Sequence, residues 1–333
     1  NKVMKKRVFA AVLACVMVVS TLAGCGGKKG SADGTFTPSK PIQWMCTSSA
    51  GGGSDIFTRM IGDIMTTENL VNGQTIVVTN KTDGSGEIGR NEVATCKKDP
   101  DLQLLTFNSG DLMPMVKNTK NRSSNFRILA IMAVDKQLIF ANPETTPYAD
   151  FASAIEAAKA GTNVVVGGSK GDDVATFTAL LEEIGLTTDD MSYITYDSTG
   201  DAITAALGGH VDFVISKPAA SSEYVEAGKL TPVLALSTER YTGNLADAPT
   251  LSEIGDYENV EVPVWRGVAA PAAMSDAAVA YWSEVLGKVA ATEKWNTEYL
   301  DANKLIGNYL TAAEATEFVT AYEADYMASE GIQ

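Results

Sequence analysis

The chain has 333 residues, 45% of them hydrophobic, and a formal charge of −15. That length is ample for a buried core and fits two domains of ordinary size. The acidic balance argues against a nucleic acid or an anionic membrane surface as partner, yet leaves room for a small anion held by local donors.

Lys5-Lys6-Arg7, a mostly apolar run from Val8 to Thr21, and Leu22-Ala23-Gly24-Cys25 read as a lipoprotein leader over 1–24 with Cys25 acylated. The apolar run is short for a membrane span, and Gly26-Gly27-Lys28-Lys29-Gly30 opens a flexible tether over 25–39. The expectation is an exported protein held to the membrane by its lipid, in the periplasm or on the outer face of the cell membrane. From Pro41 onward short β-branched runs alternate with helical stretches. Ile42–Cys46 leads to a helix near Asp55–Met65 with Ile56, Met60 and Ile64 as its stripe. Thr75–Thr79 leads to a helix near Glu87–Cys96, and Leu102–Phe107 to Asn108-Ser109-Gly110. Later, Asn163–Val166 precedes a helix near Asp173–Ile184. Tyr193–Tyr196 precedes one near Gly200–Leu207, and Val211–Ile215 one near Ala219–Gly228. Leu230–Leu236 is a further strand, and helices near Asp276–Thr292 and Ala312–Ala328 carry acidic outer and apolar inner faces.

Such alternation predicts an α/β fold with mostly parallel sheets covered by helices. Long extended stretches near 128–142 and 261–270 interrupt it. They suggest one lobe from 40–141 plus 258–333 and a second from 142–257. In open α/β sheets ligands sit at the carboxyl ends of strands, so two such edges would face each other across a cleft.

The loop Ala50-Gly51-Gly52-Gly53-Ser54-Asp55 follows a strand and opens a helix. Glycines let backbone N–H groups converge, and the helix start adds partial positive charge, which together suit an anion. Ser54 or Asp55 can also act simply as an N-cap. Gly84-Ser85-Gly86-Glu87-Ile88-Gly89 fits G-x-G-x-x-G. However, Lys81-Thr82-Asp83 separates it from the strand, and no acid ends a following strand at the required distance. It reads as a second donor loop, and no cofactor is expected.

Gly167-Gly168-Ser169-Lys170-Gly171 fits the G-x-S-x-G elbow of a serine hydrolase, with Asp197 as orienter and His210 as base. Against this, His210 lies in a helix-to-strand turn at the opposite edge of the sheet. Without a base, Ser169 is a donor beside a helix start. Asp172 and Asp173 would repel a second anion there unless they cap the helix or meet an ammonium. Tyr196, Ser198 and Thr199 stand at the next strand end, and Lys217 is either a mobile cleft cation or a solvated lysine. His210 is the only histidine, and no Cys/His cluster has metal-ligand spacing. Cys46 and Cys96 read as two thiols or as a disulfide, which spacing does not decide.

In order, these residues resemble the extracytoplasmic binding proteins of tripartite tricarboxylate transporters, the TctC-like or Bug receptors. The resemblance rests on Ala50–Asp55, on Asn80-Lys81 with Gly86, Ile88 and Gly89, and on Leu207–Asp212. It extends to Pro249-Thr250-Leu251-Ser252-Glu253-Ile254-Gly255 and Trp265-Arg266-Gly267-Val268-Ala269-Ala270-Pro271. It implies a type II periplasmic-binding-protein clamshell, a monomer, that hands a small organic carboxylate to the membrane subunits of such a transporter. One ligand carboxylate would be held largely by backbone N–H groups and ordered waters at the two glycine loops. Asn108 and Ser109, after a neighbouring strand, are further candidate ligand residues. Ser169 and the Tyr196–Thr199 turn would hold the distal end. Two departures bear on the ligand. Thr82-Asp83-Gly84-Ser85 stands where the family usually has Pro-Gly-Ala-Gly, and Asp172-Asp173 where small polar residues are common. The extra carboxylates favour a monocarboxylate, a dicarboxylate or an acidic amino acid over a tricarboxylate. A hydrolase, an ABC importer's receptor and a purely structural lipoprotein are the alternatives.

Overall fold

The structure is a computed structural model that describes residues 34–333. The leader, Cys25 and most of the tether lie outside those residues. Two sheets organise the chain. The first begins with β1 (Ile42–Cys46), helix α1 (Gly53–Thr67), β2 (Ile76–Asn80) and helix α2 (Glu87–Ala94). It continues through β3 (Gln103–Asn108), helix α3 (Ser109–Asn118) and β4 (Phe126–Asp135). The second holds β5 (Gln137–Ala141), helix α4 (Phe151–Lys159), β6 (Val164–Ser169) and helix α5 (Asp172–Ile184). Then come β7 (Met191–Tyr196), helix α6 (Thr199–Leu207), β8 (Phe213–Ser216), helix α7 (Pro218–Glu226), β9 (Thr231–Leu236) and the short helix α8 (Leu251–Ile254). The chain returns to the first sheet with β10 (Val264–Pro271), helix α9 (Asp276–Ala290), β11 (Ile306–Leu310) and helix α10 (Ala312–Glu330).

Strand order is β11-β4-β10-β3-β1-β2 in the six-stranded sheet and β7-β6-β8-β5-β9 in the five-stranded one. Each has a parallel trio, β2-β1-β3 or β7-β6-β8, beside antiparallel crossing strands. The central strands β4, β5, β8 and β10 are buried on both faces and read as mostly apolar runs, whereas the edge strands β2, β7 and β11 keep partly exposed positions. Trp44, Phe57, Trp282 and Trp295 fill one face of the first sheet, and Phe107, Leu112, Trp265 and Val319 the other. In the second sheet Val164, Val166 and Phe213 face one way, and Ile203, Val211 and Val214 the other.

Three expectations need correction. The strand 137–141 was assigned to the first lobe, but Leu138 pairs with Ser216 and Ala235 of the second sheet. The first crossing is therefore at Lys136, and the second falls after Val260, which packs in the core of the second sheet. On α1 the buried stripe is Phe57, Ile61, Ile64 and Met65, with Ile56 and Met60 at its margin. On α10 the inner face is not wholly apolar. Glu323 is buried and accepts hydrogen bonds from the Ser123 backbone N at 2.7 Å and hydroxyl at 2.9 Å. Helices α3 and α4 and strand β11 were not anticipated. Cys46 and Cys96 are free thiols, and burial pushes the Cys46 thiol up to about 12.

Candidate functional site

The carboxyl ends of both parallel trios face a cavity of about 50 Å³. The first sheet contributes Thr47 and Ser48 after β1, Gly53 and Ser54 at the start of α1, and Asn108, Gly110 and Asp111 at the β3–α3 junction. The second contributes Ser169, Lys170 and Asp172 from the β6–α5 loop. It adds Asp197, Ser198 and Thr199 before and within α6, and Lys217 after β8. Val264 and Arg266 of β10 form the floor. The starts of α1, α3, α5 and α6 thus converge on one space, and each brings partial positive charge. Asn108 and Ser198 cap α3 and α6, whereas α1 and α5 have no side-chain cap.

The α1 start has Gly52 as its N-cap, with no side-chain hydrogen bond capping it. Asp55 is not available for that task or for a ligand. It turns back into the first lobe, accepting from Gly51 N at 2.9 Å, Arg59 Nε at 3.0 Å and Asn80 Nδ2 at 3.0 Å. Burial alone would raise its carboxyl, but the hydrogen bonds from Arg59, Gly51 and Asn80 outweigh burial and hold it below the usual carboxylate range. Gly53 is required for a reason the sequence did not show: a Cβ there would lie 2.9 Å from Arg266 Nη2. The guanidinium packs directly beneath the helix start. Arg266 is itself held by Asp135, with Nε and Nη2 at 3.0 and 2.5 Å from Oδ2, and both residues are buried. The register aligns Arg266 with Asn108, whose Nδ2 donates to Ser54 Oγ at 2.8 Å.

The second glycine loop stands outside the cavity wall. Gly84 and Ser85 are exposed, and the Ser85 carbonyl accepts from Arg90 Nη2 at 2.7 Å. Gly86 is left-handed at φ 84°, and a Cβ there would meet Arg90 Nη1 at 2.6 Å. The loop acts at one remove: Arg90, fully buried, donates to Asp111 Oδ1 at 2.9 Å, and Asp111 also accepts from Thr47 Oγ1 at 2.9 Å. Ala50 and Gly51 are exposed, Gly52 is buried near Ser198, Ser109 is buried behind the wall, and Tyr196 lies beside Gly167. None of these lines the cavity.

In the second lobe the paired aspartates have found their ammonium. Lys217 is only 5% exposed. Its Nζ lies 2.6 Å from Asp172 Oδ2 and also bonds Asp173, so it is neither mobile nor solvated. Asp173 further accepts from Ser169 N at 2.7 Å, from Ser169 Oγ at 2.6 Å and from Gln137 Nε2. The Ser169 hydroxyl is therefore committed as a donor inside its own lobe. Burial, offset in part by Lys217, pushes the Asp172 carboxyl up to about 6. Burial likewise raises Asp135 against the pull of Arg266.

Lys170 is the residue sequence reasoning missed. Its nitrogen is wholly buried, and among the described residues it has no hydrogen-bond partner. The signal was present, since a lysine inside a glycine loop at a strand's carboxyl end is poorly placed for full solvation. Arg266 was visible as a motif residue but not as a wall of the site. His210 is exposed in the turn before β8. Val166 pairs with Phe213, so Ser169 and His210 lie at opposite strand ends, about 20 Å apart at roughly 3.3 Å per residue. They form no catalytic pair. Among the described residues no group of His, Cys, Asp or Glu is placed to hold a metal.

The family model for the tripartite tricarboxylate transporter family receptor matches residues 59–320. The chain belongs to that family. A curated relative, BugT of Bordetella pertussis, is 26% identical over 240 residues, covering 70% of this receptor and 71% of BugT. MatC from Rhodopseudomonas palustris, solved with bound malate, superposes with a TM-score of 0.71 at 18% identity over 87% of this chain and 99% of MatC. A second R. palustris protein, solved with adipate, gives 0.74 at 18% identity over 89% and 98% of the two chains. At such identities the likeness shows the fold, which is the two-sheet α/β arrangement of the periplasmic binding proteins. The family is one of solute-binding receptors.

Proposed function

We propose that this receptor is an extracytoplasmic, lipid-anchored binding protein. It captures a small organic carboxylate between its lobes and delivers it to the membrane subunits of a tripartite tricarboxylate-type transporter. The observation that carries the reading is the convergence of four helix starts, the Ser54 and Thr199 hydroxyls and the Lys170 ammonium on one cavity. Backbone dipoles and a cation so arranged stabilise an oxyanion, and closure excludes the water that would weaken them. The malate and adipate seen in two fold relatives support the ligand class, which here spans dicarboxylates, tricarboxylates and acidic amino acids.

A thermal-shift screen against mono-, di- and tricarboxylates and acidic amino acids tests it. A ligand at a hundred times its dissociation constant stabilises by about 2.7 kcal/mol, a shift of several degrees. A shift confined to carboxylates is the expected result. No shift, with no ligand carried over from expression in the denatured protein's mass spectrum, would refute the reading.

A further inference from the structure

Counting charges around the cavity isolates one group. Arg266 bonds Asp135, Arg90 bonds both Asp111 and Glu87, and Lys217 bonds both Asp172 and Asp173, while Asp197 on the wall is exposed to solvent. The one cation of the wall left without a bonded counter-charge among the described residues is Lys170. Asp111, Asp197 and Glu87 raise its proton affinity and Arg90 lowers it, but all act through space, and burial, the largest influence, drives it down. A buried ammonium with no acceptor is costly, and an anionic group in the cavity would supply the acceptor that the protein does not.

A ligand with a single carboxylate does not relieve this. The helix starts of the first lobe, at Gly53–Ser54 and Gly110, already supply fixed donors for one carboxylate. Lys170 belongs to the other lobe, on the β6–α5 loop. Only a ligand with a second anionic group satisfies both sets at once.

We propose that Lys170 is the specificity-determining residue of the cleft. Its ammonium receives the ligand's second carboxylate and makes the receptor select dianionic acids over monoanionic acids of the same size. This rests on the carboxylate-receptor reading above.

The test is calorimetric titration of the protein with malate and adipate and with their monomethyl esters, which keep the carbon chain and remove one charge. Wild type should bind each diacid at least ten times more tightly than its ester. Lys170→Met should lose roughly 10- to 100-fold in diacid affinity, the range for a hydrogen bond to a charged group, and keep ester affinity within about threefold. Lys170→Arg should restore part of the preference. Because Lys170→Met removes an unpaired buried charge, its ligand-free melting temperature should equal or exceed that of wild type. Three results would overturn the inference: equal binding of acid and ester by wild type, an undiminished preference in Lys170→Met, or a ligand-free Lys170→Met that melts several degrees lower. Wild type that binds none of the four compounds would also overturn the inference, and only a flat thermal-shift screen beside it would count against the receptor reading itself.

Discussion

At the scale of residues, the buried charges of the second lobe make the clearest predictions. Lys217 bonds both Asp172 and Asp173. Lys217→Met leaves two buried carboxylates uncompensated and is expected to cost about 3–5 kcal/mol in urea denaturation. Replacing all three residues (Asp172→Asn and Asp173→Asn with Lys217→Met) should recover most of that, because no bare charge remains. A Lys217→Met loss below about 1 kcal/mol would mean that the aspartates are solvated. The same cluster predicts a pH dependence. The folded carboxyl of Asp172 sits at about 6, above its unfolded value near 4. Between roughly pH 4 and 6 the folded state holds a proton that the unfolded state has released, so unfolding free energy falls as pH rises and then levels off. In Asp172→Asn this contribution to the slope should vanish. A profile identical to wild type would place the titration elsewhere.

At the scale of elements, what sequence could show depended on how locally each feature is encoded. The parallel strands were legible where burial leaves short β-branched or apolar runs, as in Val164–Val166 and Leu104-Leu105. The site's glycine loops were legible as loops, and Ser54, Asn108, Ser169, Asp172, Ser198 and Thr199 do reach the cavity. Two other features depend on partners far away in sequence. The crossing at Lys136 sits in an extended run whose only break is Asp135-Lys136, which no turn residue marks. Glu323 reads as another outward acid of α10 until Ser123, two hundred positions earlier, is seen to need it. Glu323→Ala orphans the buried Ser123 N–H and loosens α10 from the first sheet. The expected loss is about 1–3 kcal/mol, with faster amide exchange along α10. Exchange unchanged from wild type would show that apolar packing through Ala315 and Val319 suffices.

At the scale of the whole molecule, function depends on how the two lobes meet. They meet closely: a Cβ on Gly171 would run into the Gly110 carbonyl oxygen and backbone, and one on Gly110 into the Asp172 carboxylate. Gly110 sits in the first turn of α3, where alanine is otherwise the better helix former by up to about 1 kcal/mol. Gly110→Ala should therefore leave the first lobe unharmed or slightly steadier while forcing the Asp172 carboxylate off its place beside Lys217 whenever the lobes make this contact. Apparent affinity scales with the population of the binding-competent state. A variant in which closure is so penalised should bind the carboxylate at least about tenfold more weakly, with its ligand-free melting temperature unchanged or slightly raised. Small-angle scattering separates this from a simple loss of contacts. Saturating ligand should shrink the radius of gyration of wild type and leave that of Gly110→Ala near its ligand-free value. Equal compaction in both proteins would mean that the lobes meet differently when loaded, and that the Gly110–Gly171 contact belongs to the ligand-free form alone.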